Sequence, residues 1–183
     1  MRKVVYGINI TLDGCCDHTK MIADDEVHKH FARLLAKAGL LVYGRKTYQL
    51  MVPFWPEVAK SQSMDKAGNE FARVFDALPK VVFSRASEIA EERNTTVVRG
   101  PLAAEISKLK AQSGKDILVG GVDLPSQLIA LGLVDEFHFA GHPVVAGEGT
   151  RLMEGVSLPE RLQLKLVELK RFGSGCVALH YVQ

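Results

Sequence analysis

The chain is 183 residues long, 47% hydrophobic and 24% charged, with a formal net charge of +2 at neutral pH. That suits one soluble domain over residues 1–183 and excludes a disordered chain, a collagen or a coiled-coil rod. No block of Lys and Arg marks a nucleic-acid or membrane-surface partner. Apolar runs such as 39–44 and 117–119 fall far short of the roughly 18 residues of a membrane span. The N-terminal Met1-Arg2-Lys3-Val4-Val5-Tyr6 leads into a strand with no small-residue cleavage site, so a cytoplasmic protein is expected. Cys15, Cys16 and Cys176 fit neither a disulfide framework nor a zinc spacing. They are read as reduced thiols filling space, with a redox-active vicinal ring at Cys15-Cys16 as the alternative.

Strand 4–10 comes first, rich in Val and Ile. Val27, Phe31, Leu34, Leu35 and Ala38 then recur at helical spacing. Asp24 or Asp25 caps that helix, and Lys37 and Gly39 close it. Strand 40–43 follows, then a helix from near Arg45 that is expected to stop before Pro53. Strands 80–84 and 95–99 precede a helix over 101–112 that buries Leu102, Ile106 and Leu109, with Pro101 suited to its first turn. Strand 116–119 and a helix over 125–131, ended by Gly132, complete the alternation. Continuous apolar strands of this kind suit a parallel sheet covered on both faces. Segments 135–140, 162–169 and 176–182 alternate apolar with polar residues instead. A turn at Phe172-Gly173-Ser174-Gly175 joins the last two, so antiparallel pairing is added to the parallel core. The expected fold is one α/β domain with a mixed, mostly parallel sheet flanked by helices.

Three strand-to-helix junctions attract attention, because ligands of open α/β sheets bind at the C-terminal ends of strands. In Val119-Gly120-Gly121-Val122-Asp123 a strand empties into two glycines before a helix, so backbone N–H groups can approach a phosphate closely. Gly44-Arg45-Lys46-Thr47-Tyr48 sets a glycine, two cations and a hydroxyl at a helix start. Phe83-Ser84-Arg85 offers a hydroxyl and a guanidinium. Each alone also reads as an ordinary turn; three at successive strand ends imply a ligand with several phosphates.

These motifs occur in a fixed order with Asn9-Ile10-Thr11-Leu12-Asp13-Gly14, Val134-Asp135-Glu136-Phe137-His138-Phe139 and Pro143-Val144-Val145-Ala146-Gly147-Glu148-Gly149. Together they resemble the dihydrofolate-reductase-like superfamily. The closer likeness, over residues 3–181, is to stand-alone relatives of the reductase (C-terminal) domain of the bifunctional riboflavin-biosynthesis deaminase–reductase. The resemblance implies that fold, a homodimer and NADPH as cofactor. By position it sets Gly44, Arg45 and Thr47 at the cofactor phosphates, and Ser84 and Arg85 at the adenosine 2′-phosphate. Gly120 and Gly121 lie against the pyrophosphate, with Val122 and Asp123 at the following helix start. Ile8, Asn9, Leu12, Asp13 and Gly14 flank the nicotinamide. An Arg at the 2′-phosphate is the usual physical basis for choosing NADPH over NADH.

The departure is at the acceptor side. Dihydrofolate reductases hold the pteridine with an acid in the first helix. Here Asp24, Asp25 and Glu26 crowd the helix start, where capping explains them. His28 and His30 follow; His28 reaches a pocket edge and His30 is read as solvated. Dihydrofolate reduction is discounted on that ground. The remaining catalytic candidates are Asp13, His18 and His28, and the substrate candidates are Asn9, Tyr48 and Trp55. Three of these have a structural alternative: Asp13-Gly14 as a turn, Tyr48 as packing, Phe54-Trp55 as a plug over the core. His142 is read as structural. Lys20 and Arg151 are the only cations to suggest for a substrate phosphate, and no metal site is read from the scattered histidines. The expected function is NADPH-dependent hydride transfer to a small heterocyclic or aminosugar substrate. If the likeness extends to activity, the acceptor is 5-amino-6-(5-phosphoribosylamino)uracil. The alternatives are a dihydrofolate or pterin reductase, or a non-catalytic nucleotide- or flavin-binding protein. An apolar segment at 52–55 and the C-terminal strands are the sequence's own support for a homodimer.

Overall fold

Val4 and Val5 point to opposite faces of one sheet, and both are buried. The same holds for Leu41 and Val42 and for Ile117 and Leu118, so the sheet is covered on both sides. The computed structural model describes residues 1–22, 24–85 and 94–183. Its strands are β1 (Val4–Thr11), β2 (Ala38–Gly44), β3 (Lys80–Phe83), β4 (Thr95–Val98), β5 (Asp116–Val119), β6 (Glu136–His142), β7 (Lys165–Arg171) and β8 (Val177–Val182). They form an eight-stranded sheet in the order β4-β3-β2-β5-β1-β6-β8-β7. The pairs from β4 to β6 are parallel; β8 runs antiparallel to both β6 and β7.

Helices α1 (Asp25–Lys37), α2 (Arg45–Ser61) and α3 (Lys66–Ala77) cover one face, where Ala32, Leu35, Val52, Phe71 and Phe75 pack on Val5, Leu41 and Leu118. Helices α4 (Leu102–Ala111) and α5 (Asp123–Ala130) cover the other, where Ile106, Leu124 and Leu128 pack on Val4, Tyr6, Val42 and Ile117. None of the described helices is long and apolar enough to cross a membrane.

The sequence reading holds for the strands and for the start of α1, whose N-cap is Asp24, accepting from the backbone N–H of Glu26 and Val27. Ala38 and Gly39, expected to end that helix, open β2 instead. Two further helix bounds are corrected, and one helix is added. Helix α2 runs through Pro53 and Pro56 to Ser61 and ends at Gln62 in the left-handed conformation. The hydrogen bonds the prolines forfeit are offset by burial of Val52 and Val58 and by Trp55 against Phe71 at 4.4 Å. Helix α3, missed in the sequence, is capped by Asp65, which accepts from Gly68 N–H. Helix α5 begins at Asp123 rather than at Pro125. Strand β6 belongs to both halves, parallel to β1 and antiparallel to β8.

Candidate functional site

The C-terminal ends of β2, β3, β5, β1 and β6 open into one cleft of about 1760 Å³. That exceeds the roughly 300–1,000 Å³ of a typical small-molecule pocket and leaves room for a dinucleotide beside a second ligand. The cleft has two chemically different ends, and the sheet order separates them.

At the β4-β3-β2 end the lining includes Arg45, Lys46, Thr47, Ser84, Arg85 and Arg99. The N-termini of α2 and α5 meet there. Gly44 and Val122 give these helices no side-chain cap, and their first residues, Arg45, Lys46, Thr47, Asp123 and Leu124, line the cleft. Gly120 and Gly121 lie between them. A Cβ on Gly120 would sit 2.8 Å from Tyr43 Cε1, and one on Gly121, at φ +90°, would collide with Thr47 Oγ1. The carbonyl of Gly121 is held by Tyr6 OH at 3.0 Å. Bare backbone, two open helix ends and cations on successive strand ends form an anion cradle. These groups could hold an anionic ligand, and the residues read as phosphate contacts are Gly44, Arg45, Thr47, Ser84, Arg85, Gly120, Gly121, Val122 and Asp123. All nine line the cleft. Asp123 is paired with Lys46 at 3.8 Å on the exposed rim.

At the β1-β6 end the lining is Gly7, Ile8, Asn9, Cys16, Asp17, His18, Met21, Ile22, Asp24, Val27, His28 and His142, with Phe54 and Trp55 from α2. His142 is almost wholly buried. The backbone N–H of Ile22 donates to its Nδ1 (3.3 Å), so the ring proton is assigned to Nε2, which donates to Asn9 Oδ1 at 3.0 Å. Cys176 Sγ lies 3.4 Å from the same Nδ1. Burial, opposed only in part by Asp24, lowers the His142 pKa and keeps the ring neutral. With Oδ1 engaged, Asn9, a lining residue, keeps its NH₂ group as the donor it can offer a ligand. His28 stands edge-on to Trp55 at 6.3 Å, and its buried Nδ1 has no hydrogen-bond partner among the described residues. His18 is on the rim, 64% exposed, beside Asp17. Burial, and then Cys15, push the Cys16 thiol up to about 11, so it is no thiolate at neutral pH; all three cysteines are free.

Several candidates are placed elsewhere. Asp13 lies outside the cleft lining. Its carboxylate accepts from Thr11 Oγ1 (2.6 Å), Ala146 N–H (3.0 Å) and Gly147 N–H (2.9 Å), and Arg151 is 3.5 Å away. Those bonds, led by Thr11, hold it far below the usual carboxylate range. Leu12 is exposed, and Gly14, at φ +83°, turns the chain away; neither lines the cleft. Tyr48, on α2, is buried, with its hydroxyl 3.4 Å from Thr95 Oγ1, also outside the lining. His30 is not solvated. It packs against Phe31, His138 and Phe172. Lys20 and Arg151 pair with Glu148 and Asp13.

What the sequence missed comes from strand pairing. His138 and His180 are cross-strand neighbours, stacked at 4.0 Å, and the His180 ring is 3.0 Å from Glu136. This group has the composition of a metal site, lies outside the cleft lining and is tied to Lys3 through Glu136 at 2.6 Å.

A family model described as the RibD C-terminal domain matches residues 2–178. The chain belongs to the RibD C-terminal domain family. It is 32% identical over 186 residues to YyaP of Bacillus subtilis (strain 168), covering 98% of this chain and 94% of that protein. Among solved structures, one from Shewanella sp. PV-4, provisionally described as a riboflavin biosynthesis protein, superposes with a TM-score of 0.74 at 19% identity. The match covers 100% of this chain and 98% of that one. The deaminase/5-amino-6-(5-phosphoribosylamino)uracil reductase of Thermotoga maritima gives 0.68 at 16% identity, covering 99% of this chain and 56% of that one. The fold is thus that of RibD reductase domains, in agreement with the resemblance read from the motifs.

Proposed function

We propose that the chain is an NADPH-dependent reductase acting on a small acceptor bound between Asn9, His28 and Trp55. The observation that carries this reading is the meeting of two open helix N-termini over Gly120-Gly121, with Arg45 and Arg85 on neighbouring strand ends. NADPH, when bound, supplies a hydride, that is two electrons and one hydrogen nucleus. The chain's part is placement and proton supply. Arg45, Thr47 and the α2 and α5 N–H groups hold the phosphates, and Ser84 with Arg85 takes the 2′-phosphate. Ile8, Leu118 and Val119 wall the middle of the cleft and exclude water. We assign the proton that completes the reduction to His28, the cleft-lining imidazole that stands edge-on to Trp55.

A dihydrofolate or pterin reductase is disfavoured by Asp24. It is the carboxylate of the first helix region that lines the cleft, and its oxygens are spent on Glu26 N–H, Val27 N–H and Ser174 Oγ. A non-catalytic nucleotide-binding role is separated by one assay. NADPH oxidation with a reducible heterocycle supports the enzyme; NADPH binding with no acceptor reduced favours the binding protein. We also propose pairing with a second copy at β7, where Leu166, Val167 and Leu169 are exposed along the sheet edge. Sedimentation velocity at micromolar concentration should show a dimer, and a lone monomer boundary contradicts the pairing.

A further inference from the structure

We infer that the acceptor is an unphosphorylated ring compound without an anionic group that presents a hydrogen-bond acceptor to the Asn9 amide, and not a sugar phosphate. The inference rests on the cofactor occupying the cationic end. The four cations of the described lining, Arg45, Lys46, Arg85 and Arg99, follow the ends of β2, β3 and β4. In the sheet order these strands lie on the far side of β5 from β1 and β6. Around β1 and β6 the described lining contains no Lys or Arg, and Lys20 and Arg151 are turned to Glu148 and Asp13.

The second observation concerns α1. A helix N-terminus is the other common way to bind phosphate, and α1 begins at this end of the cleft. Unlike α2 and α5 it is already capped by a carboxylate, Asp24, which takes its first free N–H groups. Burial works against ionisation, but the hydrogen bonds from Ser174 Oγ and from the Val27 and Glu26 N–H groups outweigh it and lower the Asp24 pKa, so the cap is an anion at neutral pH. Asp17, also on the lining, is lowered by its bonds to Thr19. A phosphate here would meet two carboxylates and no cation. What the end offers instead is one fixed donor at Asn9 and an apolar wall of Met21, Ile22, Phe54 and Trp55. That set suits a flat ring with a carbonyl or ring-nitrogen acceptor.

The test uses the full-length protein saturated with NADP⁺, and equilibrium binding of two matched pairs: uridine with uridine 5′-monophosphate, and 5-amino-6-ribosylaminouracil with its 5′-phosphate. The unphosphorylated member of at least one pair should bind, at least tenfold more tightly than its phosphate. Equal or tighter binding of either phosphate overturns the inference, as does failure of both unphosphorylated compounds to bind. Met21→Arg adds a cation to the same wall and should narrow the discrimination at least fivefold; an unchanged ratio also contradicts the charge argument. Failure of NADP⁺ itself to bind is a separate result, which removes the cofactor reading and this inference with it.

Discussion

His142 Nε2 donates to Asn9 Oδ1 across 3.0 Å, joining two residues that are 133 positions apart in the chain and sit at adjacent strand ends on the cleft floor. The bond fixes which way the Asn9 amide faces. Asn9→Asp keeps the shape, accepts the same hydrogen from His142, and loses the donor to the acceptor substrate. We expect kcat/KM to fall by about 10- to 100-fold, the usual range for one lost hydrogen bond in a site, with NADPH affinity unchanged. The same bond sets a pH dependence. Protonating His142 places a hydrogen on Nδ1, opposite the Ile22 N–H, so activity should decline on the acid side of the ordinary histidine range. His142→Gln should flatten that limb, and an unaltered profile would remove His142 from the account.

Arg85→Ala should weaken NADPH binding by about tenfold while leaving NADH nearly untouched, because only NADPH carries the 2′-phosphate. Parallel fluorescence titrations of the two cofactors check this, and an unchanged affinity ratio would move the 2′-phosphate elsewhere. Gly121→Ala acts differently. It forces a side chain into a left-handed backbone position against Thr47, so both cofactors should lose affinity together.

Asp13 binds Ala146 and Gly147 N–H groups and thereby ties the turn after β1 to the segment after β6. Asp13→Ala should lower the melting temperature and leave kcat within about threefold, since no contact of this carboxylate lies in the cleft. A hundredfold loss of kcat with an unchanged melting temperature would return Asp13 to the chemistry.

The His138 ring, packed beside His180, His30 and Glu136, has its pKa lowered from 6.5 to about 4, chiefly by burial and then by His180 and His30. Across that interval the unfolded chain takes up a proton that the folded protein refuses, so stability is lost as pH falls from about 6.5 toward 4. Denaturant unfolding of wild type and His138→Phe at several pH values measures this. The variant should show a shallower decline, and parallel curves would place the acid sensitivity elsewhere.

The strands and α1 were legible because their signals are local: apolar runs bounded by glycine, and Asp24 before a helical repeat. Helix α3 carries a comparable signal, with Asp65 as cap and Ala67, Phe71, Val74 and Phe75 at helical spacing, but it follows a segment in which Pro53 and Pro56 read as breaks. Proline reads as a stop when only the chain is considered, but Trp55 on Phe71 holds the helix together. The residues of the proposed phosphate cradle share one cleft because each motif sits at a strand end. Asp13 was misassigned because its partners, Ala146 and Gly147, are more than 130 residues away. The Asn9–His142 bond and the His138–His180 stack depend on register between β1, β6 and β8, which no spacing in the sequence displays.

The most direct test of the central claim is a thermal-shift titration with NADPH, NADH and FMN in parallel. At 100 times Kd a ligand of the folded state stabilises by about 2.7 kcal/mol, which for a chain of this size is a shift of about 5–11 °C. The account predicts that shift for NADPH and a smaller one for NADH at equal concentration. No shift with NADPH, or a shift with FMN alone, would contradict it.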